Sequence, residues 1–267
     1  MPTERDKLDY LNEIIRARGY AHGYHRLLAN YDLEILKVTN EITLANYIPQ
    51  RALSEADKEL VLVGAFTALR SSPTIVRAHV QKALKAGADL RQSLAAIELT
   101  LLEAGRSAFD AGLSGWAEVA AAVAPKAEPA HRSQSRASPS PANEVSPMSS
   151  STLLDQHDPQ LAAVLARVTA TIDQAERGLD ARTREIVMTI VLICVRATEE
   201  RVAAQMRRAL AAGATSRDLL EAIELIITPA GMPMFDAGLA VWARVTGAKP
   251  LEPEIDAPHS RAPAART

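Results

Sequence analysis

The chain has 267 residues, a formal net charge of −2, a single cysteine and 4% aromatic residues. That length suits one large or two small domains. The charge gives no electrostatic pull toward nucleic acid or an anionic membrane, and one cysteine excludes an intrachain disulfide or a CxxC redox pair.

The opening MPTERDKLDY is charged and has no apolar core, unlike a secretory signal. No uncharged apolar run reaches the ~18 residues of a membrane span. The expectation is a soluble cytoplasmic protein with no nucleic-acid or membrane partner. Alanine, the best helix former, is abundant and alternating β-branched runs are scarce, so the predicted fold is all-α.

Along the chain, Leu8, Leu11, Ile14 and Ile15 recur at helical spacing and predict a helix over 5–29, weakened by Gly19 and Gly23. Asp32 is the expected cap of a helix carrying Leu33, Leu36, Val38 and Ile42. Ser54 is the expected cap of a helix over 55–70 that is apolar nearly all round, as buried helices are. Ser72-Pro73 opens the next, with Ser as N-cap and Pro at the first helical position. Gly87 ends it. Asp89 with Gln92 has the spacing of a capping box for a helix over 90–103. Ala104-Gly105 breaks that helix before a last one carrying Phe109, Leu113 and Trp116. Residues 121–151 turn to Pro, Ser and Ala without apolar periodicity and predict a flexible linker. Residues 247–267 predict a disordered tail. His131 and His259 fall in these segments.

Residues 59–116 occur a second time, 126 residues on and without a gap. Glu59 returns as Glu185, Arg70 as Arg196, Ala96-Ile97-Glu98-Leu99 as Ala222-Ile223-Glu224-Leu225, Phe109-Asp110-Ala111-Gly112-Leu113 as Phe235-Asp236-Ala237-Gly238-Leu239, and Trp116 as Trp242. The match begins near Leu28 and Leu154. Asp158-Pro159, Asp180 and Thr198 repeat the expected caps, and Gly213 repeats Gly87. A period this long is a duplicated domain and not a solenoid array. The expected division is 1–120 for a first domain with an N-terminal helical extension, 121–151 for the linker, 152–246 for the second domain and 247–267 for the tail. One position breaks the repeat in chemical character: His79 becomes Gln205.

Ile75, Val76 and Ala83 share a helix face with His79, so the imidazole points to the apolar side. Position alone leaves two readings: a general acid/base in a partly buried pocket, or a core histidine bonded to a backbone carbonyl. Glu59 and Glu185 open apolar helices as dipole partners or proton relays. Arg70 and Arg196 close those helices, where a cation is electrostatically ordinary; arginine is also a good carboxylate receptor. Glu98 and Glu224 look inward and need partners, with Arg70 or Arg196 as candidates. Cys194 has no basic neighbour in its helix and reads as a core residue. His22 and His25 form HxxH without a completing carboxylate or cysteine, so no metal site is expected.

Taken together, E-[LI]-V before an apolar helix, Arg77-Ala78-His79, A-L-x-A-G-A, Ala-Ile-Glu-Leu and Pro229-Ala230-Gly231-Met232-Pro233 with F-x-A-G-L resemble the carboxymuconolactone decarboxylase / AhpD-like superfamily. The resemblance covers about 28–119 and 154–245. It implies two all-helical tandem repeats related by a pseudo-twofold, assembled as a homo-oligomer with a trimer favoured. The AhpD-like branch uses a CxxC pair seven and four residues before the histidine to reduce peroxides or disulfides. Those positions here are Ser72 and Ile75, or Thr198 and Arg201 before Gln205, so that chemistry is a remote alternative. The decarboxylase branch is cofactor-free and acts on a small carboxylate or lactone of the aromatic-catabolism type. In that reading His79 and Glu59 are catalytic, Arg70 and Ser72 bind substrate, and the second repeat is silent because glutamine cannot shuttle protons at neutral pH. The Glu59–His79 spacing is one residue longer than the family's usual pattern, with the extra residue in Arg70–Pro73. A non-catalytic scaffold or ligand-binding member of the fold is the other reading.

Overall fold

In the computed structural model, residues 2–18, 21, 23–123, 155–174 and 178–249 are described, and among them there are helices and no strands. The expected linker and tail lie almost wholly outside these residues, as does His22. The elements are α1 (Glu4–Arg18), α2 (Gly23–Tyr31), α3 (Leu33–Asn46), α4 (Glu55–Ala68), α5 (Pro73–Lys85), α6 (Leu90–Glu98), α7 (Thr100–Glu103), α8 (Arg106–Val123), α9 (Pro159–Ile172), α10 (Ala181–Cys194), α11 (Glu199–Ala211), α12 (Ser216–Leu225), α13 (Ile227–Ala230) and α14 (Met232–Thr246). The predicted helix over 5–29 is two helices, with Gly19 following the last residue of α1 and Gly23 opening α2. A glycine inside a helix costs about 1 kcal/mol relative to alanine, and two of them within one turn favour the break. The first domain was expected to end at residue 120, but α8 runs through the alanine-rich stretch to Val123.

Most of the expected caps form. Asp32, Ser54, Asp158, Asp180 and Thr198 each accept a hydrogen bond from the first turn of their helix. The Asp89/Gln92 capping box is present, and Thr215/Asp218 makes the corresponding one in the second repeat. Ser72 stands at the N-cap of α5 without a side-chain capping bond. The indoles also repeat their role: Trp116 Nε1 donates to the Leu90 carbonyl at 2.9 Å and Trp242 Nε1 to the Ser216 carbonyl at 2.8 Å.

Helices α4 and α10 end in Schellman motifs. The amides of Arg70 and Ser71 reach the carbonyls of Thr67 and Phe66, and those of Arg196 and Ala197 reach Ile193 and Leu192. The residue that must be left-handed is arginine in both, at φ 56 and 57, where glycine is usual. Such a conformation costs on the order of 1 kcal/mol, and both repeats carry it.

A single hydrophobic core spans both repeats, with α4 packed against α5, α6, α8 and α10, and α10 against α11 and α12. A Cβ on Gly64 of α4 would lie 2.8 Å from Val187 of α10, so the two central helices meet closely. A Cβ on Gly115 of α8 would lie 2.4 Å from the Pro73 carbonyl, so glycine there lets α8 press on the start of α5. A second, smaller cluster of Ile14, Ala29, Leu33 and Leu36 joins α1, α2 and α3.

Beside the apolar contact of α4 with α10, the seam between the repeats carries a polar network, part of it fully buried. Glu221 is fully buried and accepts from the amides of Ala52 at 2.6 Å and Leu53 at 2.9 Å. Lys58 Nζ, also buried, stands 2.9 Å from its other oxygen. Arg51 meets Glu224 at 2.6 Å, Arg182 bridges Asp57 and Asp218, and the Thr183 hydroxyl donates to Asp57 at 2.9 Å. Burial alone would raise the Glu221 pKa, but the amide donors of Leu53 and Ala52 and the Lys58 ammonium outweigh it and hold the carboxyl below its ordinary value. The inward glutamates thus find other arginines than expected: Glu98 pairs with Arg91 at 2.5 Å and Glu224 with Arg51, not with Arg70 or Arg196.

Glu221→Ala should lower stability by about 3–5 kcal/mol, because it strands a buried ammonium, measured as a drop in Tm. A depressed carboxylate pKa means the unfolded chain binds more protons as pH falls. The stabilisation from Glu221 is therefore present above the ordinary carboxylate range and is lost as pH drops through the folded value. The acid limb of a stability–pH curve should be flatter in the variant than in the parent chain, and identical limbs would rule this out.

Candidate functional site

The burial of α4 dictates the site. Glu59 lies one turn inside a helix with nearly every face covered, and it is 1% exposed. A carboxylate there needs hydrogen-bond donors. His79 of α5 provides one, with Nδ1 2.7 Å from Glu59 Oε2. The Tyr47 hydroxyl, just after α3, donates to Glu59 Oε1. Phe66, two turns along α4, stacks on the imidazole with ring centroids 4.7 Å apart and 24° between planes. The Lys82 ammonium lies 5.2 Å from the centre of the Tyr47 ring. Of the two readings of His79, the backbone-bonded core residue is not what forms.

The hydrogen bond fixes the tautomer. An ionised carboxylate only accepts, so Nδ1 carries the proton and Nε2 of the neutral ring is left as an acceptor. Nε2 takes no hydrogen bond from the described residues, and the side chain is 12% exposed. The arrangement can take a proton at Nε2 and return it, with Glu59 stabilising the imidazolium.

Arg70 and Ser72 do not join this pair. Arg70 follows the far end of α4, roughly 16 Å along the helix from Glu59 at 1.5 Å per residue, and its Nη2 donates to the Ala104 carbonyl at 3.0 Å. Ser72 lies two turns before His79, roughly 10 Å along α5, at the exposed N-cap. A cation of α5, Lys82, instead brings its ammonium over the Tyr47 ring that borders the pair. Its spacing of three from His79 was the available signal. Tyr47 and Phe66 also escaped notice. Their counterparts are Asp173 and Leu192, so a reading centred on what the repeats share does not find them.

The second repeat builds a different centre on the same frame. Gln205 Nε2 donates to Glu185 Oε2 at 2.6 Å and to the Glu185 carbonyl at 3.2 Å. Glu185 Oε1 is held by Arg184 at 2.8 Å and Arg208 at 3.2 Å. Arg184 occupies the position of Lys58, and Arg208 that of Lys82. Lys58 turns away to Glu221 and the carbonyls of Tyr47 and Pro49, which leaves Glu59 to Tyr47 and His79. A cleft of about 250 Å³ opens beside Gln205.

Cys194 is buried in the core, as expected, and burial pushes its thiol up to about 12. His25 is buried and its ring lies 4.2 Å from that of Tyr24. Among the described residues no group of three or more His, Cys, Asp or Glu side chains could hold a metal ion, and no helix is long and apolar enough to cross a membrane.

At pH 8 about one Cys194 thiol in ten thousand is ionised, given a pKa of about 12. The native chain should therefore leave an aromatic disulfide reagent unreacted over minutes and release one equivalent of chromophore on unfolding in guanidinium. Rapid release from the native chain would contradict the buried, inert assignment.

Residues 159–244 match the model of the Carboxymuconolactone decarboxylase family. The match falls on α9 to α14, the repeat that carries Gln205. No curated protein matches the chain.

Proposed function

We propose, for a chain that carries a carboxymuconolactone decarboxylase family domain at residues 159–244, that the first repeat performs cofactor-independent acid–base chemistry on a small carboxylated or lactone substrate. The observation that carries this reading is the 2.7 Å contact from His79 Nδ1 to buried Glu59, with Nε2 left open. His79 is the acid/base. Glu59 is a positioning residue that sets its tautomer, and Tyr47 and Phe66 hold the pair in place. In a decarboxylation of this type the carboxylate leaves as carbon dioxide. The electron pair passes into the conjugated carbonyl of the lactone, and the proton that quenches it at carbon is delivered through His79 Nε2. Lys82 is better placed than Arg70 to attract the substrate's anionic group. The reaction is that of a lyase, with hydrolysis of the lactone as the nearest variant.

The test is carbon dioxide release from carboxymuconolactone and related γ-lactone acids. His79→Gln should lower kcat by about 10²-fold or more, and Glu59→Gln should lower it with KM little changed. Gln205→Ala should leave turnover within a few-fold. Full activity in the His79→Gln protein, or no turnover of any lactone acid, would transfer the chain to the non-catalytic reading.

The working form is proposed to be a homo-oligomer, with a trimer favoured. Support comes from α9, which buries none of its residues and leaves Leu161, Val164 and Leu165 more than a third exposed. Light scattering should give a mass near three times 28.7 kDa. A monomeric mass at micromolar concentration would remove the proposal.

A further inference from the structure

The cleft beside Gln205 is lined by groups that the proposed chemistry does not use. Its floor is the saturated Glu185, and one wall is apolar, from Leu99, Met188 and Leu192. Its rim carries Arg201 and Arg208, both about half exposed. Leu99 and Glu103 belong to the first repeat, so the cleft lies across the seam.

The donor inventory is unbalanced. A guanidinium has five N–H donors. Arg208 uses Nη2 alone, toward Glu185, and Arg201 uses Nη2 alone, toward both oxygens of Glu103 at 2.9 and 2.8 Å. Nε and Nη1 of both arginines take no partner among the described residues. Two of the three carboxylates that line the cleft are engaged, while Asp173, half-buried, lines it as well. Glu185 is engaged by Arg184, Arg208 and Gln205, and Glu103 by Arg201. The open donors of Arg201 and Arg208 suit an acceptor with two oxygens, which a guanidinium fork meets in bidentate fashion. The volume, about 250 Å³, is just below the usual range for drug-sized ligands and suits a molecule of roughly ten non-hydrogen atoms.

We infer that the cleft beside Gln205 is a non-catalytic binding site for a small organic acid, with the carboxylate on Arg208 and Arg201 and the carbon skeleton against Met188 and Leu192. It lacks the acid/base proposed for the first repeat, because Gln205 stands where His79 does and an amide does not shuttle protons at neutral pH. The site is separate from the His79 centre and does not depend on the reaction proposed there.

Calorimetric titration of the full chain with benzoate, benzamide and inorganic phosphate tests the inference. Benzoate should bind saturably, with benzamide and phosphate at least tenfold weaker. Arg208→Gln and the cleft-filling Ala204→Trp should each weaken benzoate at least tenfold, with circular dichroism confirming that each variant is folded. His79→Gln should keep the parent affinity. Three outcomes would overturn it: absence of benzoate binding to the parent chain, unchanged binding in both cleft variants, or loss of binding in His79→Gln. Phosphate binding as tightly as benzoate would overturn the organic-acid assignment, since the apolar wall would then contribute nothing.

Discussion

Two central helices that are apolar on nearly every face have to be buried, and the rest of the molecule follows from how they are covered. α4 and α10 cover each other, with Gly64 set against Val187, and the remaining helices of both repeats close around them. An ionisable residue on a covered face of either helix is then taken out of water and must find a partner within reach. Glu59, Glu185 and Lys58 are all in this position. The polar centres of this protein are what those three residues found.

From this shared constraint the two repeats diverge through a few side chains. A lysine at position 58 extends to Glu221 across the seam, and its neighbour Glu59 is met by a phenol and an imidazole. An arginine at the corresponding position 184 folds back onto Glu185, and Arg208 adds a second guanidinium. The backbone frame is the same, down to caps, indole contacts and left-handed arginines. The centres differ because the first carboxylate is hydrogen-bonded by a phenol and an imidazole and the second by an amide and two guanidinium groups.

Much of this was legible in the chain itself. Caps, C-terminal glycines and the duplicated pattern depend on contacts within a few residues or on matching copies, and Asp32, Ser54, Asp180 and the Asp89/Gln92 box all formed as read. His79 and Glu59 stood out as candidates, but their contact depends on how α4 and α5 pack. Long-range partners were not legible. Arg70 was read as a partner for substrate or for Glu98, yet it lies past the end of α4 and bonds Ala104. Glu98 found Arg91 two turns away in sequence, and Glu224 found Arg51 from the other repeat. Such choices depend on how the helices cross, which periodicity does not encode. One hydrophobic core runs through both repeats, and which side chains meet in it depends on the same crossings.

The clamped Glu185 has one more consequence. Glu59 and Glu185 share a burial depth, a helix position and a donor on the following helix, and they differ in whether a proton can leave that donor. The chain thus contains its own blank: a centre built on an imidazole and one built on an amide, in the same fold, solvent and concentration. A spectroscopic signal from the imidazole centre can be read against the amide centre without a reference protein.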